Sequence, residues 1–510
     1  MSNYIAPSSD AMSATIKPIV WTIAASDSSG GAGIQADIKT MFDLEVHGCT
    51  VVTGVTAQNT QGVHHVEVMS KTVIANQLHA LLDDVPPQAI KIGVLPSVES
   101  VLLVSDFLQQ QNTLLSIPVI YDPVLAPTHG QTFTNDDTIA AIKKLLPFIG
   151  LLTPNIPEAE TLTGITIQDA QSQLLAAQAL IDMGVSAVLL KGGHAYSMDG
   201  HSESNDCQDL LYAPDITAWL TQNKQSTPHS HGTGCVLSSA VAAFMAHGKP
   251  MRDAVVLANA YISNGLHCAQ SLDPVANTRG AVAQTGWPND LRYFPQVSMT
   301  PNAIHYPEMP RCDSLNLGLY PVIDSIEWLE KLLEQGVKTI QLRVKDRADD
   351  VLDTMIERAA ALGRQYQARL FINDYWQLAI KHNAYGVHLG QEDMQDADIA
   401  AIRAAGLHLG ISTHGEYEFS YAATFKPSYL AIGAIFPTDT KEVIEVGLNN
   451  LYRWATVLKS HYPLVAIGGI NQRNIDLVVA SGVGSVAVVS AITKADDYTV
   501  AVQQLTQAIH

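Results

Sequence analysis

The feature that most constrains this chain is a series of eight short apolar segments in its second half, separated by helical patterns. The segments lie at residues 317–323, 339–343, 369–372, 385–389, 407–411, 429–432, 464–467 and 485–489. Apolar strands that alternate with helices are typical of βαβ units, which form parallel sheets. Eight consecutive units predict a (β/α)8 TIM barrel, and an open doubly wound sheet is the structural alternative.

The first half also alternates strands and helices, but less regularly. Its apolar segments lie at residues 19–25, 50–55, 89–94, 118–121, 150–153 and 187–191, which predicts an open α/β/α sandwich. Residues 286–312 are rich in proline and asparagine and have no helical period. A chain of 510 residues is too long for one ordinary core, so we predict domains at 17–285 and 313–510 joined by a linker at 286–312.

Charge and cysteine content exclude several classes of partner. The 29 basic and 49 acidic residues leave a formal charge of -20, which argues against a nucleic-acid or anionic-membrane surface. The five cysteines are scattered without a CxxC pair, so neither a disulfide framework nor a zinc site is indicated. No segment reads as a signal peptide or a membrane span. We therefore expect a cytoplasmic enzyme that acts on small molecules, with its oligomeric state open, a homo-oligomer included.

Polar residues follow seven of the eight predicted barrel strands, on the face where barrel enzymes build their sites. Asp374 and Asp393 follow adjacent strands and are suited to Mg²⁺, which prefers oxygen ligands. Arg343, Lys345 and Lys441 are suited to neutralising a diphosphate. An isolated aspartate after a strand is more often a helix cap, but caps would not require these cations as well.

A second phosphate site is indicated after the last two strands. Gly469, Val489 and Ser490 lie there, where barrels commonly cradle a single phosphate with backbone N–H groups. The sequence therefore predicts two anion sites in the second half.

The second half resembles thiamine phosphate synthase. The segments IQLRVKD, FINDYW, GVHLGQED, GISTH, FPTDTK, AIGGI and AVVSAI occur in the order of that family's motifs. The resemblance implies coupling of hydroxymethylpyrimidine diphosphate to a thiazole phosphate, with release of pyrophosphate. Val344 stands where Glu is frequent in the family.

The resemblance also implies a role for particular residues. Those implied to bind the pyrimidine diphosphate are Gln341, Leu342, Arg343, Val344, Lys345, Asn373, Ser412 and Lys441. Those implied to bind the thiazole phosphate are Thr438, Asp439, Thr440, Gly469, Val489 and Ser490. Asp374 and Asp393 are implied to hold Mg²⁺.

Two glycine-rich segments stand out in the first half. Residues 25–37 follow a strand and open a helix, but contain neither a Walker lysine nor GxGxxG. The second segment is HGTGC at residues 231–235, followed by a helix of small residues. Its amides are placed to face an anion, and a helix N-terminus would lower the pKa of Cys235. The alternatives are a tight turn for the first segment and a packed, inert cysteine for the second.

Taken together, the first-half motifs resemble hydroxymethylpyrimidine kinase and its phosphate kinase activity, in the ribokinase-like superfamily. They are SDSSGGAGIQADIKT, TAQNTQGV, IKIGV, YDPV, TPNIPEA, LLKGGH and HGTGC, over residues 19–284. The resemblance implies two phosphorylations of the pyrimidine with ATP and Mg²⁺, which would supply the substrate of the barrel.

By this resemblance Asp37 and Gln58 contact the pyrimidine, and Cys235 occupies the position of the base. The anion hole is formed by Gly232, Thr233 and Gly234. Candidates near ATP and metal are Asp122, Asn155, Glu158 and Lys191, for which capping or sheet-edge roles are the alternative. The sequence departs from the family at Ala25, at Val94 and at residues 125–130.

Two other interpretations stay open. The first half is also compatible with a pyridoxal or other vitamin kinase, because that superfamily shares the GTGC element. Alternatively, one half is catalytically dead and serves as a ligand sensor or scaffold for the other. The presence of Cys235, Asp374, Asp393 and Lys441 argues against a dead half.

Overall fold

The computed structural model describes residues 16–111, 114, 116–125, 135–192, 206–273, 278–301, 306–345, 347–438 and 445–509. The strands of the first half are β1 (Ile19–Asp27), β2 (His47–Asn59), β3 (Gly62–Val68), β4 (Ala89–Ile92), β5 (Val119–Tyr121), β6 (Leu151–Leu152), β7 (Val188–Leu190), β8 (Asp206–Ala213), β9 (Ile216–Asn223) and β10 (Gln296–Ser298). They form one sheet in the order β10-β9-β8-β7-β6-β5-β4-β1-β2-β3. The six strands predicted from the sequence form its parallel centre, β2-β1-β4-β5-β6-β7.

Four antiparallel strands extend this sheet beyond the prediction. β3 pairs with β2 at one edge, and β8, β9 and β10 continue the sheet beyond β7. β10 lies inside the segment predicted to be a linker, where Val297 is fully buried. A strand of three residues is too short to show an alternating apolar pattern in the sequence. It is recognised only by its pairing with β9.

Helices cover both faces of the first sheet. They are α1 (Gly33–Asp43), α2 (Lys71–Asp84), α3 (Val98–Gln110), α4 (Asp136–Leu145), α5 (Ile156–Thr163), α6 (Ala170–Asp182), α7 (Thr233–Ala246) and α8 (Met251–His267). Successive β1 residues join different cores: Val20 packs in the cluster that contains α7 and α8, and Trp21 in the cluster that contains α3 and α6. The predicted α/β/α sandwich is confirmed.

The second half is a closed parallel barrel, β11 to β18 in chain order. Its strands are β11 (Gly318–Ile323), β12 (Thr339–Leu342), β13 (Arg369–Asn373), β14 (Gly386–Leu389), β15 (His408–Thr413), β16 (Tyr429–Ile432), β17 (Leu464–Ala466) and β18 (Ser485–Val488). Its helices are α9 (Ile326–Glu334), α10 (Asp349–Gln365), α11 (Trp376–Lys381), α12 (Ile399–Ala404), α13 (Glu416–Thr424), α14 (Gly447–Leu458), α15 (Ile475–Val479), α16 (Ser490–Thr493) and α17 (Tyr498–Ile509). The barrel prediction is confirmed, and closure of β18 on β11 excludes the open sheet.

The two halves pack against each other through α8, β10 and α13. Phe294 contacts Phe419 with ring centroids 5.2 Å apart, and the Thr424 hydroxyl donates to the Val297 carbonyl. One continuous apolar core therefore contains residues of both halves.

Candidate functional sites

The predicted metal pair of the barrel comes together at the ends of β13 and β14. The carboxyl groups of Asp374 and Asp393 lie close enough to interact electrostatically. Burial and the Asp393 charge raise the pKa of Asp374 to about 6, although Arg343 and Lys345 act in the opposite direction. Arg343 and Lys345 thus offset only part of the repulsion between the two carboxyl groups. Two such oxygen donors side by side are suited to a hard divalent cation.

The last four of the five predicted ligand residues at the end of β12 divide into two sets. Arg343 and Lys345 are at least partly exposed and lie near Asp374. Leu342 and Val344 are buried in the apolar core, so only their backbone atoms can contact a ligand. Their predicted contact with the pyrimidine diphosphate therefore stays a prediction for backbone atoms, and the Val344 side chain, where Glu is frequent in the family, packs in the core.

A hydrogen-bonded chain inside the barrel, which we did not predict, supports Ser412. Nε2 of His388 lies 2.8 Å from the Ser412 hydroxyl, and its Nδ1 lies 2.7 Å from the Tyr429 hydroxyl, which contacts the Tyr320 hydroxyl at 2.8 Å. Burial and the charges of Arg343 and His414 lower the pKa of His388 to about 3, so its ring is neutral.

Glycine makes room for this chain at Gly410, where a Cβ atom would overlap the Tyr429 ring. The sequence contains one indication of this hydrogen-bonded chain, which is a histidine within the apolar strand segment GVHL. The predicted ligand residues Gln341 and Asn373 are also largely buried at the strand ends, and Gln341 hydrogen-bonds to the tyrosines.

The predicted thiazole-phosphate residues come from three neighbouring loops. Gly469 has a φ of 65°, and a Cβ atom there would lie 2.5 Å from the Pro437 carbonyl oxygen, so the loop after β17 packs on the loop that leads to Thr438. Asn474 donates its side-chain N–H to the Gly469 carbonyl at 3.0 Å. Ser490 is the first residue of α16, with Val489 as its N-cap. Asp439, Thr440 and Lys441 lie outside the described residues.

The two glycine-rich segments of the first half meet through Asp27. Its carboxylate accepts from the Ser29 amide at 2.8 Å and the Ala32 amide at 2.8 Å, and contacts His231 Nε2 at 3.1 Å. Burial acts to raise the pKa of Asp27, but these hydrogen bonds lower it to about 2. Gln58 Nε2 lies 3.4 Å from the same His231 nitrogen, so the predicted pyrimidine ligand borders the HGTGC segment.

The predicted anion hole is the start of α7. Gly232, its N-cap, has a φ of 79°, and a Cβ atom there would overlap the Gly31 carbonyl. A Cβ atom at Gly234 would lie 3.0 Å from the Asp122 carboxylate, which forms a 2.9 Å ion pair with Lys191. Gly232, Thr233 and Gly234 therefore lie where two loops and an ion pair converge.

Cys235 lies in the first turn of α7, but its pKa is not lowered. Burial raises it to about 11, although the Lys91 charge and an N–H bond from Gly33 act to lower it. The lowered pKa expected at a helix start is not found, because desolvation of the charged sulfur outweighs the helix terminus. The alternative of a packed, inert cysteine fits this placement.

Asp37 is fully buried and supports the site without lining it. Its carboxylate pairs with Lys91 Nζ at 2.9 Å and accepts from the hydroxyls of Thr22 at 2.5 Å and Ser239 at 2.7 Å. Ser239 belongs to α7, one helical turn after Cys235. The carboxylate has no exposed surface and its oxygens are hydrogen-bonded here, so the expected pyrimidine contact stays a prediction.

The candidates near ATP and metal form a second acidic group beside Lys191. Burial and the Asp122 charge raise the pKa of Glu158 to about 7, although Lys191 acts to lower it. Asn155 and Glu158 also form a reciprocal capping box at the start of α5. Asn155 is thus occupied as a cap, whereas Asp122, Glu158 and Lys191 form a polar cluster below the anion hole.

The structure contains a cavity in each half. One of about 320 Å³ is lined by residues from both sides of the glycine-rich turn, among them Gly31, Lys39, Val236 and Gln270, and adjoins the kinase-like site. The other, of about 440 Å³, is lined by Arg369, Tyr385 and His408 at the opposite end of the barrel from Asp374. Because it lies at the strand starts, we assign it no part in the barrel site.

Comparisons with known proteins match each half separately. The family described as phosphomethylpyrimidine kinase matches residues 27–279, and the family described as thiamine monophosphate synthase matches residues 319–492. Thiamine-phosphate synthases of Escherichia coli O157:H7 and of Shigella dysenteriae serotype 1 (strain Sd197) are each 54% identical over 206 residues, which is 40% of this chain and 97% of each relative.

Solved structures similar to the first half include two kinases. A phosphomethylpyrimidine kinase from Clostridium difficile 630 is 35% identical over 49% of this chain and 99% of its own, with a TM-score of 0.42. A pyridoxal kinase from Staphylococcus aureus in complex with AMP-PCP and pyridoxal is 28% identical over 56% of this chain and 98% of its own, with a TM-score of 0.48. Within the described ranges, no helix is long and apolar enough to cross a bilayer.

Proposed function

This chain belongs to the phosphomethylpyrimidine kinase family in its first half and to the thiamine-phosphate synthase family in its second, and we propose how its residues divide the work of this bifunctional thiamine biosynthesis enzyme. The first half phosphorylates the hydroxymethylpyrimidine and then its monophosphate. The second half joins the resulting diphosphate to thiazole phosphate. The observation that carries the proposal is that each half brings its own anion-binding residues together.

In the kinase half, the amides of Gly232, Thr233 and Gly234 receive the transferring phosphoryl group. The substrate oxygen attacks the γ-phosphorus of ATP, and the bond to ADP breaks with both electrons leaving on the ADP oxygen. In the first phosphorylation the hydroxyl proton passes to an oxygen of the transferred phosphoryl group. Because such a transition state is loose, positioning and charge stabilisation contribute more than a strong base. This agrees with the raised pKa of Cys235, which is a neutral thiol at pH 7 and gives up its proton poorly.

In the synthase half, Arg343 and Lys345 stabilise the leaving pyrophosphate, and Lys441 is proposed to join them. The bond between the pyrimidine methylene carbon and the diphosphate oxygen breaks, with both electrons leaving on oxygen. The thiazole nitrogen then donates its electron pair to the methylene carbon. No protein nucleophile is required, because the residues act by electrostatic stabilisation.

Asp374 and Asp393 are the residues that would hold Mg²⁺ in the barrel. Their proximity and the raised pKa of Asp374 support this, because a divalent cation relieves the repulsion between two adjacent carboxylates. When bound, the ion supplies positive charge to the diphosphate. Asn373 and Ser412 orient the pyrimidine beside it.

The kinase site lies away from the ion pairs that join the two halves. The anion hole lies at the N-terminal end of α7, whereas the contacts with the barrel begin at Lys249, after its C-terminal end. A helix of 14 residues is about 20 Å long, so the length of α7 separates the anion hole from Lys249.

The test is synthesis of thiamine phosphate by the full chain from hydroxymethylpyrimidine, thiazole phosphate, ATP and Mg²⁺. The Asp374→Asn variant should accumulate the pyrimidine diphosphate without product, because its kinase half is unchanged. Pyridoxal assayed in parallel addresses the vitamin-kinase alternative, which would be favoured if pyridoxal turned over far faster. Ligand binding without turnover in either half would favour the sensor alternative.

The cellular location and assembly are proposals as well. All five cysteines are unpaired, which supports a reducing compartment such as the cytoplasm. Sedimentation of the purified chain would determine whether it forms a homo-oligomer.

A further inference from the structure

A helix of the barrel is capped by a residue from the kinase half. α13 begins after Gly415, which supplies no side-chain cap of its own. The Asp253 carboxylate, from α8, accepts from the Tyr417 amide at 2.7 Å. A Cβ atom at Gly415 would lie 2.6 Å from that carboxylate, so this glycine permits the close approach. The start of α13 is thereby tied to the first domain.

One turn into the same helix, Glu418 connects the kinase half to a side chain at the barrel mouth. One of its oxygens pairs with Arg252 of α8 at 3.0 Å. The other accepts from the His414 amide at 2.8 Å and lies 2.7 Å from His414 Nδ1. Because a carboxylate can only accept, Nδ1 carries a proton, and the ring is oriented with Nε2 left for another partner.

His414 lies at the edge of the synthase site. It follows Ser412 and Thr413 directly at the end of β15, on the face where barrel catalysis takes place. Its charge is one of the two that lower the pKa of the buried His388, which contacts the Ser412 hydroxyl. His414 is therefore two residues from Ser412, a predicted ligand of the pyrimidine diphosphate.

We propose that Arg252 of the kinase half is a positioning residue for the synthase site. By holding Glu418, Arg252 fixes the imidazole of His414 at the barrel mouth, where Nε2 contacts the diphosphate of the incoming pyrimidine. Arg252 does not itself touch the substrate. The kinase half therefore has two roles for the synthase site. It supplies the substrate, and it positions a side chain that binds the substrate.

A neighbouring ion pair allows a purely structural role to be distinguished. Lys249 pairs with Glu416 at 2.5 Å across the same interface, and also donates to Asn450. Among the described residues, Lys249 contacts Glu416, Asn450 and Trp454 but not His414. Removal of either cation weakens the interface, but only removal of Arg252 releases the side chain that orients His414.

The test uses the full-length chain and its two activities measured on the same preparations. Synthase turnover is assayed with purified pyrimidine diphosphate and thiazole phosphate, and kinase turnover with hydroxymethylpyrimidine and ATP. Arg252→Met should raise the synthase KM for the pyrimidine diphosphate three- to tenfold and leave kinase activity within twofold. Arg252→Lys should restore most of the synthase activity, and Lys249→Met should leave it within twofold.

A double variant tests the route through His414. Because Arg252 acts through this histidine, Arg252→Met combined with His414→Gln should be no worse than His414→Gln alone. The inference is overturned if Arg252→Met changes synthase kinetics less than twofold, if Lys249→Met has an equal effect, or if the two losses multiply. The inference rests on the proposed site of the barrel, which the wild-type enzyme tests separately: absence of wild-type synthase turnover would refute the function itself.

Discussion

Replacement of Lys91 by methionine tests whether the buried ion pair under the anion hole stabilises the kinase half. Lys91 Nζ lies 2.9 Å from both oxygens of Asp37, and neither side chain has exposed surface. Methionine occupies a similar volume without the charge, so it leaves a buried carboxylate without its cation. Loss of one partner of a buried pair costs about 3–5 kcal/mol. Because Thr22 and Ser239 still donate to Asp37, we expect about 3 kcal/mol.

The assay is guanidinium chloride unfolding of the full chain, with both activities followed to identify which half has unfolded. Kinase activity should be lost at a lower denaturant concentration in Lys91→Met than in the wild type. Adding Asp37→Asn should recover about 2 kcal/mol, because the unpaired charge is then removed. Arg358→Met, which breaks an exposed pair with Glu330, is the control and should change stability by less than about 0.5 kcal/mol. A loss below about 1 kcal/mol, or a double variant less stable than Lys91→Met, would refute the reasoning.

Three further predictions concern single groups. Because burial raises the pKa of Cys235 to about 11, iodoacetamide should label it at least about tenfold more slowly at pH 7.5 than the exposed Cys268, as measured by peptide mass spectrometry; equal rates would contradict this. Asp374→Asn should lower synthase kcat/KM at least about a hundredfold and leave kinase activity within twofold; an equal loss of both would count against the proposed metal pair. Burial and Glu416 raise the pKa of Asp253 from 3.8 to about 6, so the folded chain binds this proton more tightly than the unfolded chain. Stability should fall by up to about 3 kcal/mol as pH rises from about 4 to 6, and the Tm difference between Asp253→Asn and wild type should grow over that range; a constant difference would disprove the shift.

The barrel site was predictable in part because parallel strands constrain where their neighbours end. Asp374 and Asp393 follow β13 and β14, which are adjacent in both sequence and space. Their contact could therefore be predicted from strand order alone. The chain from Ser412 through His388 to Tyr429 was not predicted, because it depends on which side chains of β14 and β16 point into the barrel and on the absence of a side chain at Gly410.

The kinase site shows the same division. Asp37 lies in a motif whose resemblance implies substrate contact, yet the structure places it beneath the site, where it pairs with Lys91. The environment of Cys235 depends on burial by elements that are distant in sequence. Its place at a helix start predicts a lowered pKa, but burial raises the pKa instead. Local sequence shows what a residue is able to do, but not how much water remains around it.

By itself, the sequence determined the two-domain order, the eight barrel strands and the residues at their ends. These depend on apolar runs and chain order, which are local properties. The tertiary structure alone decided the antiparallel edge of the first sheet, the burial of Asp37 and the interface in which Arg252 reaches Glu418. These features arise from contacts between segments far apart in the chain, where packing and desolvation, rather than local pattern, determine the free energy.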